Sequence, residues 1–285
     1  MMKLYIVTDS TADIPKELAA ELDIHIVPLK VHIGDMTYLD GVTLSTGEFY
    51  EKLAQADKLP RTSQPSPADF VDVYESLAAR EEDGEVISIH LSSALSGTYQ
   101  TANLAKDMVR EKINVHAIDS RTASYALGAI VVAVARAARA GNGLQYCLDL
   151  TQRLIANHKA FFVMDTLMYL QKGGRIGKAS AVLGSLLNVK PILTFDEAGE
   201  VAAVEKVRGK KKAVGRIVDL INEYAAGEPV VASVVHATSH EEAEALKVRV
   251  AETLNITEDI VVTELGPVIG TYGGPGLLAV MLYKV

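Results

Sequence analysis

The sequence predicts an α/β protein made of two domains. Short apolar runs alternate with amphipathic segments through the first half of the chain, which is typical of β-α-β units on a parallel sheet. The chain has 285 residues, about twice the length of an ordinary domain. Hydrophobic residues make up 49% and charged residues 22%, which excludes a disordered protein. We therefore predict a Rossmann-like, parallel-sheet domain over residues 1–157 and an α/β domain with a mixed sheet over residues 158–285.

Strands in the first half are predicted from short runs of aliphatic and β-branched residues. These runs are 4–7, 24–27, 85–91 and 113–118. Residues 28–40 alternate in polarity around Gly34 and Asp35, which are turn residues and predict a β-hairpin. The run at 85–91 leads directly into a polar loop, so this loop is expected at the carboxyl end of a strand.

Helices in the first half are predicted mainly from their start signals. Asp13 is placed to cap a helix, and Ser45 with Glu48 matches a capping box. Ser66 before Pro67 is a further helix start, because serine suits the cap and proline the first helical position. The predicted helices are 15–22, 45–55, one from 66, one ending at 109, 121–139 and 144–157.

The second half of the chain has its own strands and helices. Strands are predicted at 160–164, 191–195, 200–207, 230–236 and 260–264, and helices at 166–170, 211–224 and 241–254. The turn at 196–199 joins two of the strands and predicts a hairpin. Glycines are frequent from Gly266 to Gly276, and this segment is predicted to be a loop.

Charge and composition exclude several classes of function. The net charge of -8 argues against nucleic-acid binding. No apolar run reaches the ~18 residues of a membrane span, and no signal-peptide pattern is visible, so we expect a cytoplasmic protein. Cys147 is the single cysteine of the sequence, which excludes a cysteine metal cluster, and we expect it to be a small core residue. His236 and His240 are four residues apart, but without an H-E-x-x-H motif we expect no metal site.

Common nucleotide-binding and hydrolase motifs are absent from the sequence. Residues 172–178 are only superficially similar to a phosphate-binding loop, because Lys172 occupies the first glycine position and Ala179 follows the last lysine. No G-x-G-x-x-G follows the first strand, and Ser96 lacks the flanking glycines of a nucleophile elbow. Nucleotide binding and serine hydrolysis are therefore not indicated.

Two hydroxyl-rich loops, 61–67 and 92–98, each precede a predicted helix. Hydroxyl groups together with the free N–H groups of a helix N-terminus bind an anion without any basic residue. The same serines and threonines can instead serve only as helix caps. The residues leave both interpretations open, with a carboxylate or a phosphate as the ligand in the first.

Asp9 directly follows the first strand, at the sheet edge where ligands bind in open α/β proteins. A carboxylate there can be a nucleophile or a base, but no companion carboxylate cluster is close in sequence. We favour a structural, hydrogen-bonding role for Asp9. An enzyme that uses Asp9 on a small anionic ligand stays as an alternative.

Five cations lie within residues 206–212, at the start of a predicted helix. This placement is unfavourable for the helix, because a helix N-terminus already carries positive potential. A solvated surface is the simplest interpretation, and docking of a negatively charged partner is the functional one.

Five segments, in order along the chain, resemble the motifs of the DegV family of fatty-acid-binding proteins. They are 8–14 (TDSTADI), 62–65 (TSQP), 91–99 (LSSALSGTY), 170–176 (LQKGGRI) and 266–271 (GPVIGT). The resemblance is specific because these segments span nearly the whole chain. It implies two α/β domains of the EDD fold, with an acyl chain in a buried tunnel at the domain interface.

The resemblance also implies which residues hold the carboxylate of the ligand. Thr62 and Ser96 would hydrogen-bond it, with Ser63, Ser93 and Gly97 in the same two loops. Neutral donors suit a carrier, because a cationic clamp would stabilise the ground-state carboxylate and make it a poorer nucleophile.

Tyr272 stands where the family motif usually has a histidine. A phenol donates one hydrogen bond, but its ordinary pKa is ~10 against ~6.5 for imidazole, so it carries no positive charge near neutral pH. We expect Tyr272 to bind the carboxylate. We also expect the replacement of histidine by tyrosine to change either the exchange of the ligand head group or the transfer of phosphate to it.

The implied function is that of a carrier and not of an enzyme. FakB-like members of the family present a bound fatty acid to a separate fatty-acid kinase, which uses ATP and Mg²⁺ to make acyl-phosphate for phospholipid synthesis. Arg208 resembles the family arginine that takes part in docking to the kinase, and Arg175 extends the same surface.

For this chain we therefore expect a monomer that binds a long-chain fatty acid such as palmitate, contacts membranes only transiently and has no covalently bound cofactor. A chain length of roughly C14 to C20 is implied by the resemblance. A lipid-sensing or storage protein without kinase coupling stays as an alternative.

Overall fold

The computed structural model describes residues 3–80, 84–184 and 188–285. The strands are β1 (Leu4–Asp9), β2 (Ile24–Val27), β3 (Lys30–Ile33), β4 (Met36–Leu39), β5 (Arg61–Ser63), β6 (Glu85–His90), β7 (Asn114–Asp119), β8 (His158–Val163), β9 (Val189–Phe195), β10 (Val201–Arg208), β11 (Val230–His236), β12 (Val261–Glu264) and β13 (Leu278–Lys284). The helices are α1 (Lys16–Glu21), α2 (Thr46–Gln55), α3 (Pro67–Ala78), α4 (Thr98–Val109), α5 (Tyr125–Arg139), α6 (Leu144–Ala156), α7 (Met168–Gly173), α8 (Lys210–Ala225), α9 (His240–Thr253) and α10 (Pro267–Gly273). Two short 3-10 helices are Ser10–Ala12 and Gly177–Val182.

The first sheet is parallel, as predicted, with the strand order β2-β1-β6-β7. Side chains of β1 alternate between its two faces. Tyr5 and Val7 pack in a cluster with residues of α3 and α4. Ile6 packs in a different cluster that includes much of α5. The sheet is thus covered by helices on both faces.

The second sheet is mixed, as predicted, with the order β10-β9-β8-β13-β11-β12. The pair β11 and β12 is parallel, and the other pairs are antiparallel. The hairpin of β9 and β10 turns at the predicted place, where Gly199 N donates to Asp196 O at 2.9 Å. Helices α8 and α9 cover one face of this sheet through residues such as Ile217 and Leu246.

Helix α5 lies between the two large sheets. It contacts β1 and β6 of the parallel sheet and β8, β11 and β13 of the mixed sheet. A single apolar cluster therefore includes residues from both sheets, among them Ile89, Leu127, Ile130, Phe162 and Ala279. Among the described residues, no helix is long and apolar enough to cross a membrane.

A third, antiparallel sheet has the order β4-β3-β5. Its hairpin confirms the predicted turn, since Ile33 pairs with Met36 across Gly34 and Asp35. Strand β5 was not predicted, because three polar residues give no hydrophobic alternation. It pairs with β3 through Thr62 and Val31.

Two predicted helix boundaries are wrong. Asp13 does not cap α1, which follows Pro15 without a side-chain cap. The carboxylate of Asp13 instead binds partners that are far away in sequence. The long apolar helix α5 begins at Tyr125 and not at Arg121, because Arg121 and Ser124 have φ of 54° and 55°, outside the helical region.

The predicted glycine-rich loop over 266–276 is also wrong, since most of it forms α10. Gly266 is extended, and Pro267 occupies the first helical position, which proline favours. Gly270 N donates to Gly266 O at 2.7 Å. A side chain at Gly270 would meet the ring of Phe49 at 2.8 Å, so this glycine lets the helix pack closely and is not a sign of a loop.

Candidate functional site

A cavity lies where the two large sheets meet. Its wall is mostly apolar and comes from both halves of the chain, for example from Leu29, Leu91, Phe162, Ala279 and Met281. The cavity can thus hold a large apolar group.

One wall of the cavity is formed by β13 and the residue before it. Leu277, Ala279 and Met281 all line the cavity, which is the two-residue alternation of a strand. At about 3.4 Å per residue, the distance along the strand from Leu277 to Met281 is roughly 14 Å. Ala279 pairs with Phe162 on β8, whose ring lies 5.4 Å from that of Phe195.

Four polar side chains also line the cavity, and we call them the polar end: Thr62, Ser96, Arg175 and Tyr272. The hydroxyl oxygens of Thr62 and Tyr272 are 2.5 Å apart. The Arg175 guanidinium carbon lies 5.1 Å from the centre of the Tyr272 ring. Arg175 Nε also donates to Leu95 O at 3.2 Å, next to Ser96. The polar end is thus one connected group.

Each member of the polar end comes from a different element. Thr62 is central in β5, Ser96 precedes α4, Arg175 follows α7 and Tyr272 is in the last turn of α10. Gly173 provides the space for the Tyr272 ring, because a side chain there would lie 2.7 Å from the ring carbon Cε1. Arg175 Nη1 donates to the Gly173 carbonyl at 3.0 Å, which holds the guanidinium over the ring.

Ser124 is the remaining polar side chain of the cavity wall. Its backbone has φ 55° and ψ −150°, a region that residues other than glycine rarely occupy. Ser124 Oγ donates to Asp13 Oδ2 at 2.6 Å, and Gly266 N donates to Asp13 Oδ1 at 3.0 Å. Asp13 therefore joins the start of α5 to the loop before α10 at the cavity wall.

Asp13 lies close to a second buried carboxyl, Asp40. A side chain at Gly266 would lie 2.7 Å from Asp13 Oδ1 and 3.6 Å from Asp40 Oδ1. Burial raises the pKa of Asp13 well above its usual range, with a further contribution from Asp40. Burial likewise raises the pKa of Asp40 to about 7, although a hydrogen bond from Ser10 opposes the shift.

Asp9 is fully buried and does not line the cavity. One carboxylate oxygen accepts from Thr11, through both N–H and hydroxyl, and the other contacts His90 Nδ1 at 3.0 Å and accepts from Leu91 N at 3.1 Å. His90 continues this buried network to Ser88. All of these partners are internal, which supports the structural interpretation of Asp9 and gives no support to an Asp9-dependent enzyme.

The structure does not bring every predicted residue to the cavity. Ser63 points to His32, with 2.9 Å between its hydroxyl and Nε2. Ser93 is held by its N–H, which donates to Asp119 at 3.1 Å. Gly97 is next to the lining residue Ser96 and caps α4. Arg208 is exposed at the end of β10, outside the lining residues.

Two cavity residues were missed by the sequence interpretation. Arg175 was assigned only to docking, yet it lines the cavity, and Ser124 was assigned to no site. Their segments of the chain are distant from the two hydroxyl-rich loops, so no local pattern indicated them. Cys147 is buried, as predicted. Over the described ranges, no group of three or more His, Cys, Asp or Glu side chains is arranged to hold a metal ion.

Comparisons with known proteins agree on one family. The DegV family model matches residues 3–285. A DegV domain-containing protein of Halalkalibacterium halodurans is 40% identical over 284 residues, which is 99% of each chain.

Two solved structures are similar over the full length of the chain. A fatty-acid-binding DegV family protein from Thermus thermophilus superposes with a TM-score of 0.93 at 35% identity, covering 100% of both chains. DegV of Bacillus subtilis, described as a fatty acid binding protein, superposes with a TM-score of 0.90 at 37% identity and the same coverage. The match of sequence model and fold over nearly all residues shows that this chain belongs to the DegV family.

Proposed function

We propose that this protein binds a long-chain fatty acid, with the acyl chain in the cavity and the carboxylate at the polar end. One observation carries the proposal: a cavity with a mostly apolar wall also has the polar side chains of Thr62, Ser96, Arg175 and Tyr272 in its lining. Each methylene that leaves water contributes about 0.8 kcal/mol, so a chain of many carbons binds tightly to such a wall. The fatty-acid-binding relatives from Thermus thermophilus and Bacillus subtilis support the same ligand class.

The polar end suits an ionised carboxylate. Hydroxyls of Thr62, Ser96 and Tyr272 are neutral donors, as expected, but Arg175 adds one positive charge beside them, so the donor set is not the entirely neutral one that was expected from the sequence. A hydrogen bond to a charged group is about twice as strong as one between neutral groups. The site therefore favours a fatty acid over an uncharged lipid of the same length.

We propose that the chain is a carrier that catalyses no reaction by itself. The described lining residues of the cavity include hydroxyls and a guanidinium but no carboxylate and no imidazole that could act as a base. Asp9, the residue considered for that role, is buried away from the cavity.

The proposed partner is a separate fatty-acid kinase, which supplies ATP and Mg²⁺ and forms acyl-phosphate for phospholipid synthesis in the cytoplasm. Arg208, Lys211 and Lys212 are exposed around the start of α8, where a negatively charged partner surface can dock. Lys210 is instead paired with Asp165 and Glu242, so it is less available.

The direct test is native mass spectrometry of the freshly purified protein, followed by denaturing extraction of whatever it carries. We expect one fatty acid per chain, of roughly C14 to C20. A protein that is empty and also takes up neither added palmitate nor added oleate would overturn the proposal.

A further inference from the structure

The side chain of Gln64 joins the two segments that supply Thr62 and Ser96. Its Nε2 donates a hydrogen bond of 2.8 Å to Thr101 Oγ1. Thr101 Oγ1 in turn donates to the carbonyl oxygen of Gly97 at 3.0 Å. Gln64 therefore links the end of β5 to the first turn of α4.

Close packing adds to this hydrogen-bonded link. A side chain at Gly97 would lie 2.8 Å from both Cδ and Nε2 of Gln64, closer than two such groups can approach. The amide of Gln64 therefore lies directly against the backbone of Gly97. Glycine at this position is what permits the contact.

The short separation of Gln64 from Thr62 along the chain explains why the two act together. Gln64 directly follows β5, with only Ser63 between it and Thr62. Ser63 is tied to β3 through His32, with 2.9 Å between the two polar atoms. A shift of Gln64 relative to α4 thus also moves the Thr62 hydroxyl relative to Ser96.

We propose that Gln64 is a positioning residue for carboxylate binding. It fixes the distance between the Thr62 hydroxyl and the Ser96-Gly97 segment, so that both can bind the same carboxylate. On one side, Thr62 contacts Tyr272, the Tyr272 ring contacts Arg175, and Arg175 donates to Leu95 O. On the other side, Gln64 connects the end of β5 to α4 through Thr101. This role rests on the proposed fatty-acid-binding function.

The test compares oleate with oleyl alcohol, which has the same chain but no carboxylate. In the Gln64→Ala protein we expect the affinity for oleate to fall about three- to tenfold, as for the loss of one hydrogen bond. The affinity for oleyl alcohol is expected to change less than twofold. Gln100→Ala is the matched control, because Gln100 is exposed on α4 outside the cavity lining.

A double-mutant cycle tests the route through Thr101. Thr101→Val keeps the shape of the side chain and removes both hydrogen bonds of its hydroxyl. We expect Thr101→Val to weaken oleate binding by a similar factor, and Gln64→Ala with Thr101→Val to lose little more than either alone. Thermal unfolding of each variant checks that the fold is intact.

Three outcomes overturn the positioning role. Gln64→Ala with unchanged oleate affinity, or with equal losses for oleate and oleyl alcohol, would show that Gln64 does not act on the carboxylate. Fully additive losses in the cycle would exclude the route through Thr101. If the unmodified protein binds neither ligand, the proposed function itself fails, and the positioning role with it.

Discussion

Thr62 and Tyr272, 210 residues apart in the chain, face each other with 2.5 Å between their hydroxyl oxygens. Each hydroxyl has one proton and can also accept. One proton is used within the pair, so the other O–H can donate to a ligand. The Thr62–Tyr272 pair therefore leaves one hydroxyl proton available for the proposed carboxylate ligand.

Removal of single hydroxyls at the polar end should weaken carboxylate binding. Thr62→Val and Ser96→Ala keep nearly the same shape, and each removes a donor to a charged group. We expect oleate affinity to fall about tenfold or more in each, measured by isothermal titration calorimetry. Ser76→Ala is the control, because Ser76 donates only to Val73 O on the surface of α3. Equal affinities for both site variants and the control would remove Thr62 and Ser96 from the site.

Tyr272→His should make fatty-acid binding depend on pH. An imidazole with its ordinary pKa of ~6.5 becomes positively charged between about pH 8 and pH 6, whereas a phenol does not. Oleate affinity of the variant should therefore rise as pH falls through this range, relative to the unmodified protein. Tyr272→Phe is the control, with weaker binding and no added pH dependence. Parallel profiles for His and Phe variants would contradict contact between residue 272 and the carboxylate.

Ala279→Phe should block the cavity partway along its length. Ala279 lies between Leu277 and Met281 on the cavity wall, opposite Phe162. A second large ring there leaves too little room for a long chain, so oleate binding should be lost, while a short acid of roughly eight carbons still binds at the polar end. Competition with a fluorescent fatty acid measures both. Full oleate affinity in a folded variant would mean that the chain does not follow β13.

The buried Asp40 predicts a stability that falls with rising pH. Its pKa in the folded protein is about 7 against an ordinary value of 3.8, because burial disfavours the carboxylate. Its contribution to stability is therefore complete below about pH 4 and is lost as pH rises through about 7. Asp40→Asn should lessen the decrease in melting temperature between about pH 5 and pH 8.

Asp35→Asn, on the exposed hairpin turn, is the control for this measurement. It should leave the pH profile of the melting temperature unchanged. A profile that stays identical in the Asp40→Asn protein would show that Asp40 does not titrate in this range. Asp13, whose pKa burial also raises, remains in both variants. Because Asp40 adds to the raised pKa of Asp13, the Asp40→Asn change also lessens the pH dependence that Asp13 contributes, in the same direction.

Arg208→Gln should separate ligand binding from coupling to a kinase. Arg208 is exposed and outside the cavity, so oleate affinity of the isolated protein should be unchanged. Acyl-phosphate formation with a fatty-acid kinase and ATP should fall at least tenfold, because the interface loses a charge. Arg110→Gln, an exposed arginine at the end of α4, is the control. Undiminished acyl-phosphate formation would remove Arg208 from the docking surface. No acyl-phosphate formation with the unmodified protein would favour the alternative of a storage or sensing protein.

The sequence by itself predicted most of the large elements and the family, but no strand was predicted at β13 (Leu278–Lys284), which is central in the mixed sheet. Apolar runs predicted the strands of the parallel sheet, and Ser45 and Ser66 gave correct helix starts, because these signals lie within a few residues of the structure they specify. The two hydroxyl-rich loops were identified for the same reason. Such local signals did not predict β5, whose three polar residues form a strand only because β3 offers them a partner.

Only the tertiary structure decided how the polar end is assembled. The contact of Thr62 with Tyr272, the place of Arg175 at the cavity and the bridge from Asp13 to Gly266 all join residues more than 80 positions apart or elements that no local pattern connects. The same holds for α10, where Gly270, one of the glycines that suggested a loop, allows close packing against α2. These contacts depend on how helices and sheets pack, and the packing is a property of the whole chain.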